Sequence, residues 1–200
     1  MVLLDGGPVG GMDAAAFVRR LEAVPGVAVQ LRAKGVSRRE LYQRARVLGD
    51  AARAAGVPFL VNDAVDVALA LPGTGVHLGQ EDLPLEMARR LLGRSCLLGA
   101  SVRTPEQARE AVSAGADYLG VGAVFPSPTK PHAPVIGLEG FRKVRVQVEC
   151  PVVAIGGITR DRVAQVRGAG ADAVAVVSAV AASQDPVAAC RDFVAAFSCA

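Results

Sequence analysis

Only three lysines occur among the 22 basic residues of the 200-residue chain, and asparagine occurs once. Two of the lysines and the asparagine fall where an apolar, strand-like run gives way to a loop. Lys34 closes Gln30-Leu31-Arg32-Ala33-Lys34, Asn62 is followed by Asp63, and Lys130 ends Phe125-Pro126-Ser127-Pro128-Thr129-Lys130. Arginine carries the positive charge elsewhere. A rare residue type gathering at strand ends points to chemistry on an anionic ligand.

Each group has a chemical reading and a plainer one beside it. Gln30, Arg32 and Lys34 alternate with Leu31 and Ala33, so an extended chain puts the three polar side chains on one face. A bidentate guanidinium and a point-charge ammonium together can hold a pyrophosphate. The plainer reading is a polar strand edge, which the buried-looking run 27–29 weakens. Asp63 and Asp82 supply two carboxylates from neighbouring strand ends. Such a pair suits Mg²⁺ held through water and phosphate oxygens, or each aspartate caps the helix that follows it. Gly156-Gly157 and Val177-Ser178 occupy two later strand ends. Glycine lets backbone N–H groups approach a phosphate closely; a simple tight turn needs the same residues. The loop at 122–137 is long for a connection and is stiffened by Pro126, Pro128, Pro131 and Pro134, which suits a lid. His77 lies inside an apolar run and reads as a satisfied core residue. Asp66, Asp117 and Asp172 read as turn or cap residues.

The elements that must position these groups follow from the hydropathy pattern. Short Val- and Leu-rich runs fall at 2–4, 27–31, 59–61, 75–78, 96–98, 118–121, 152–155 and 173–177. Longer amphipathic segments lie between them at 12–24, 37–55, 64–71, 84–92, 105–114, 138–148, 160–168 and 179–197. Strict alternation of continuous apolar strands with helices indicates a parallel sheet covered by helices. Eight such units predict an α/β fold, a single-domain (β/α)8 TIM barrel over residues 1–200, rather than an open doubly wound sheet. Thr104-Pro105-Glu106-Gln107 carries an N-cap, an N1 proline and a capping-box glutamine. Ala-Gly-Ala-Asp at 114–117 and again at 169–172 reads as a helix ended by a left-handed glycine before a new strand. In a barrel the residues just after each strand share one face. That face would collect Gln30, Arg32, Lys34, Asn62, Asp63, Gln80, Asp82, Ser101, Ser127, Thr129, Lys130, Gly157 and Ser178, a set suited to phosphate and a divalent metal.

Composition narrows the function classes. A net charge of +3 is too balanced to argue for nucleic acid, and 4% aromatic residues with no Trp leave few stacking platforms. Cys96, Cys150, Cys190 and Cys199 form no Cys-x-x-Cys pair and read as free thiols of a reducing, cytoplasmic compartment. No apolar run of about 18 residues suggests a membrane span or a secretory leader. The partners expected are therefore small molecules, and the oligomeric state stays open.

In combination and in order, Gln-Leu-Arg-x-Lys, Asn-Asp, Val76-His77-Leu78-Gly79-Gln80-Glu81-Asp82-Leu83-Pro84, Gly-x-Ser, Phe-Pro-Ser-x-Thr-Lys, Ala154-Ile155-Gly156-Gly157-Ile158 and Val177-Ser178 resemble the thiamine-phosphate synthase family. The resemblance runs from about Val27 to Pro186. It implies a transferase that joins 4-amino-2-methyl-5-(diphosphooxymethyl)pyrimidine to thiazole phosphate, with Mg²⁺ as cofactor and pyrophosphate as co-product. By the same resemblance, Gln30, Leu31, Arg32, Ala33, Lys34, Asn62, Ser101 and Lys130 would meet the pyrimidine diphosphate. Asp63 and Asp82 would hold Mg²⁺, and Ser127, Pro128, Thr129, Gly157, Val177 and Ser178 would meet the thiazole phosphate. Arg32, Lys34, Ser101 and Lys130 would carry the catalytic roles. Ala33, Arg103 and Ser127 stand where the family commonly has Glu, His and Thr. The alternatives are the family's thiazole tautomerase branch, disfavoured by Ala123 where that branch tends to carry His, and a non-catalytic barrel that binds a thiamine-pathway phosphate.

Overall fold

A computed structural model describes residues 1–127 and 132–199. Its strands are β1 (Val2–Leu4), β2 (Val29–Leu31), β3 (Phe59–Asn62), β4 (Thr74–Leu78), β5 (Leu98–Val102), β6 (Tyr118–Val121), β7 (Val152–Ile155) and β8 (Ala173–Ala175). They pair in sequence order, every pair parallel. Closure comes from a parallel bridge of Val2 to Val176, with Leu3 N donating to Val176 O at 3.0 Å. The expected (β/α)8 barrel is what forms.

The helices are α1 (Ala14–Arg20), α2 (Arg38–Ala54), α3 (Val65–Leu69), α4 (Leu85–Leu92), α5 (Pro105–Ser113), α6 (Gly137–Arg145), α7 (Val163–Gly168), α8 (Ser178–Ala181) and α9 (Pro186–Cys199). Their starts follow local chemistry. Ser37 Oγ accepts from Glu40 N at 3.2 Å to open α2. Thr104 Oγ1 accepts from Gln107 N at 3.3 Å to open α5, and the Gln107 side chain reaches back to Arg103 N at 2.8 Å. On α2 the buried face is Leu41, Ala45, Leu48 and Ala52, the three-to-four spacing of one helical stripe.

Two layers of core result. Val29, Leu31, Val61, Val76, Leu98, Val102 and Val121 point outward into the helix layer with Phe17, Leu48 and Phe141. Each such fully buried side chain contributes about 1.5–3 kcal/mol of burial free energy. Leu3, Leu60, Tyr118, Val153 and Ala175 fill the barrel itself. Bulk on one strand sits over glycine on the next. A Cβ on Gly75 would meet Leu60 Cγ at 3.1 Å, and one on Gly99 would meet Tyr118 Cζ at 2.2 Å.

Three expectations need correction. The fifth strand is Leu98–Val102 rather than 96–98. Of its inward residues, Gly99 is small because Tyr118 needs the space and Ser101 is polar and contacts His77, so the run does not read as apolar. The helix expected at 179–197 is two, α8 and α9. Pro186 cannot continue a helix, and Asp185 Oδ1 caps the new one, accepting from Val187 N and Ala188 N at 3.1 and 2.9 Å. Asp117 and Asp172, read as turn or cap residues, use their side chains on strands. Each side chain binds the first backbone N–H of a neighbouring strand, Leu98 N at 2.7 Å and Val152 N at 2.8 Å.

Candidate active site

The carboxyl ends of β2 to β5 bring the central group together. Gln30 is buried inside the barrel and donates from Nε2 to Asn62 Oδ1 at 3.4 Å. Past the end of β2, Arg32 is half-buried and Lys34 exposed, and Lys34 Nζ stands 3.8 Å from Asp63 Oδ2. Leu31 and Ala33, also expected at the site, turn their side chains into the helix-layer core. Leu31 is in addition a ladder residue, in register with Leu4 and Val61.

Asp63 has φ +65°, the one non-glycine residue among those described with a left-handed backbone. Aspartate tolerates that region better than most residues, at a cost of order 1–3 kcal/mol. Its N–H donates to His77 O at 2.9 Å, tying the loop to β4. It does not cap α3, whose N-cap is Ala64 with no side-chain hydrogen bond. The strained turn instead carries the carboxyl to Asp82. Burial, then the hydrogen bond and like charge of Asp82, push Asp63 up to about 6, against the pull of Lys34 and Arg32. Asp82 is aimed by Gly79 N, which donates to Oδ2 at 2.6 Å.

Two carboxylates converging in spite of their repulsion fit a hard divalent cation. No group of three or more His, Cys, Asp or Glu side chains gathers among the described residues. Asp63 and Asp82 are the residues that could hold such a cation.

Ser101 lies on β5, half-buried, with its backbone carbonyl accepting from Gln80 Nε2 at 2.7 Å. His77 is held between Tyr118 Oη and Ser101 Oγ, each 2.8 Å from a ring nitrogen.

The opposite side of the mouth is built by β6 to β8. Gly156 and Gly157 have φ +99° and +62°. A Cβ on Gly157 would lie 2.4 Å from Pro126 O, and one on Gly156 2.6 Å from Ala123 Cα. Glycine is therefore required for the β7 loop to lie against the β6 loop, where Phe125 N donates to Gly156 O at 3.0 Å. Ser127 is half-buried beside this contact. Val177 precedes α8 as its N-cap and Ser178 is exposed at its first turn. Pro128, Thr129 and Lys130 lie outside the described residues.

The family model described as "Thiamine monophosphate synthase" matches residues 8–180. The chain belongs to the thiamine monophosphate synthase family. It is 48% identical over 191 residues to "Thiamine-phosphate synthase" of Chloroflexus aurantiacus, covering 95% of this chain and 88% of that one. To the protein of the same name from Moorella thermoacetica it is 47% identical over 183 residues, covering 91% and 87%. The solved "Thiamine phosphate pyrophosphorylase" of Pyrococcus furiosus superposes with a TM-score of 0.86 at 40% identity, over 98% of this chain and 94% of that one.

Within this family member, sequence reading missed two residues beside the site. Arg162 donates to Gly157 O at 2.7 Å and lies over the Phe125 ring at 4.6 Å, bracing the glycine turn. It sits in an irregular 3-10 turn, so no periodicity marks it. Tyr118 opens β6 and points into the barrel. No sequence signal marks it, because its place over Gly99 depends on the register of β5 and β6.

Proposed function

We propose that this chain condenses 4-amino-2-methyl-5-(diphosphooxymethyl)pyrimidine with thiazole phosphate to give thiamine phosphate and pyrophosphate, with residues 1–200 acting as one barrel domain. The observation that carries the reading is the Asp63–Asp82 carboxylate pair beside Lys34 and Arg32 at the barrel mouth. A simple phosphate binder has no use for converging carboxylates; a diphosphate that arrives with a divalent cation does.

Asp63 and Asp82 are the residues that would hold Mg²⁺. When bound, Mg²⁺ would neutralise charge on the departing diphosphate. Arg32 and Lys34 bind the same diphosphate and stabilise its growing charge as the methylene C–O bond lengthens. Gln30 and Asn62, already joined by a hydrogen bond, present amide groups to the pyrimidine. Ser101 contacts the pyrimidine diphosphate. Lys130 meets the departing pyrophosphate, and Ser127, Pro128, Thr129, Gly157, Val177 and Ser178 hold the thiazole phosphate. With the two substrates fixed together, the thiazole nitrogen attacks the pyrimidine methylene, and proximity supplies much of the rate. No general base is needed.

The test is pyrophosphate release by purified protein with both substrates and Mg²⁺, against reactions lacking each in turn. Release that needs all three, matched by an equal amount of thiamine phosphate, is the expected result. Absence of release from a folded protein that still binds thiazole phosphate overturns it in favour of the tautomerase or a silent binder. Lys130→Ala should lower turnover far more than it weakens thiazole phosphate binding.

A further inference from the structure

Tyr118 on β6, His77 on β4 and Ser101 on β5 form a hydrogen-bonded line through the barrel interior. Tyr118 Oη is 2.8 Å from His77 Nδ1, and His77 Nε2 is 2.8 Å from Ser101 Oγ. Tyr118 and His77 are 6% and 8% exposed. Glycines on the neighbouring strands make the space. A Cβ on Gly99 would collide with the Tyr118 ring, and one on Gly120 would lie 3.0 Å from His77 Cε1. The line is built, and its far end is a hydroxyl at the mouth.

Counting protons gives it a direction. A buried tyrosine hydroxyl has one proton, which must find an acceptor. Among the described residues its hydrogen-bond partner is His77 Nδ1. A proton on Nδ1 would set two donors against each other and leave the phenol proton without an acceptor. Burial keeps the phenol protonated, well above the usual tyrosine range. The hydrogen bond at one ring nitrogen decides which nitrogen carries the imidazole proton.

We propose that Tyr118 donates to His77 Nδ1 and so fixes His77 as the neutral Nε2–H tautomer, which donates to Ser101 Oγ and turns the serine proton toward an anionic ligand. With its lone pair engaged by the imidazole, Ser101 becomes an oriented donor to a phosphate oxygen. Tyr118 and His77 are thus positioning residues, and Ser101 touches the substrate. This consequence rests on the reading of Ser101 as a substrate contact.

The chain has two histidines, so imidazole ¹⁵N spectra of the full-length protein carrying His132→Gln report His77 alone. The expected spectrum is a single neutral tautomer protonated at Nε2. Tyr118→Phe keeps the ring over Gly99 and removes only the hydroxyl. It should mix the two tautomers and lower kcat roughly 10-fold, the scale of one lost hydrogen bond, with the KM for thiazole phosphate unchanged. A purely structural role would move neither the tautomer nor kcat selectively. An Nδ1–H tautomer or an imidazolium in the parent protein at neutral pH overturns the proposal. So does a Tyr118→Phe protein with unchanged spectrum and turnover. Full pyrophosphate release by Ser101→Ala would remove Ser101 from the site, a failure of the functional reading that leaves the tautomer to be decided by the spectrum.

Discussion

The two rims of the barrel use aspartate in opposite ways. At the amino ends of the strands, Asp117 accepts from Leu98 N and from Arg89 Nη2, both at 2.7 Å. Arg89 also donates to the carbonyls of Gly93, Cys96 and Gly115. Asp172 repeats the device with Val152 N at 2.8 Å and Arg145 Nη2 at 3.7 Å. Both of these aspartates have an arginine beside them. At the carboxyl ends, Asp63 and Asp82 face each other, one on a left-handed backbone, with Lys34 3.8 Å away as partial compensation. The amino-end rim is arranged for stability. The carboxyl-end rim keeps repulsion and strain in the folded state, which is what a ligand-binding site costs a scaffold.

That contrast can be broken from either side. The largest effect belongs to the carboxyl-end rim. Asp63→Asn with Asp82→Asn should lower pyrophosphate release roughly 1,000-fold, the scale on which lost transition-state electrostatics act, and abolish its Mg²⁺ dependence. Its urea midpoint should hold or rise. A metal-dependent rate surviving in this variant would show that the pair holds no cation.

At the amino-end rim the signs reverse. Asp117→Ala leaves the Leu98 N–H and the Arg89 guanidinium short of a partner, and should cost about 2–3 kcal/mol in urea unfolding. Turnover at saturating substrate should stay within about twofold of the parent, because these side chains end strands far from the mouth. Asp172→Ala should cost less, about 1 kcal/mol, because its arginine is more distant and the pair is more exposed. Equal losses at the two positions would mean that Arg89 contributes nothing beyond the backbone contact.

The smallest effect is a pH dependence. Asp63 is raised to about 6 when folded, against about 3.9 unfolded. Between those values the folded state holds more protons, so stability must fall as pH rises. The penalty is absent below about 3.9 and complete above about 6. After discounting for solvent screening it amounts to about 1 kcal/mol. Metal-free protein should therefore gain stability relative to Asp63→Asn as pH drops from 7 to 5. A pH-independent difference would show that neither burial nor Asp82 raises Asp63.

Much of this was legible along the chain. Alternating apolar runs and amphipathic segments mark eight β/α units, and strand-end residues such as Gln30, Asn62, Asp63 and Asp82 mark one mouth. Other features were hidden. Ser101 looked like a residue after a strand but belongs to β5, whose Gly-Ala-Ser stretch carries no apolar signal because the barrel interior is crowded there. Leu31 and Ala33 sit between site residues yet face the helices, since strand alternation sends neighbours to opposite sides. His77 read as a quiet core residue, because a sequence does not reveal that Tyr118, 41 positions later, lies against it.

Sequence alone determined the periodic features: the strand and helix repeat, the caps at Ser37 and Thr104, the glycine stops before Asp117 and Asp172, and the chemical types gathered at strand ends. These depend on residues a few positions apart, where local sterics and hydrogen bonding act. Only the tertiary structure decided which carboxylates are neutralised and which are left to repel. Only it decided which glycine makes room for which ring, and which way the Tyr118–His77–Ser101 line runs. Those outcomes depend on register and burial between strands distant in sequence, where a displacement of one residue would send each side chain to the other face of the sheet.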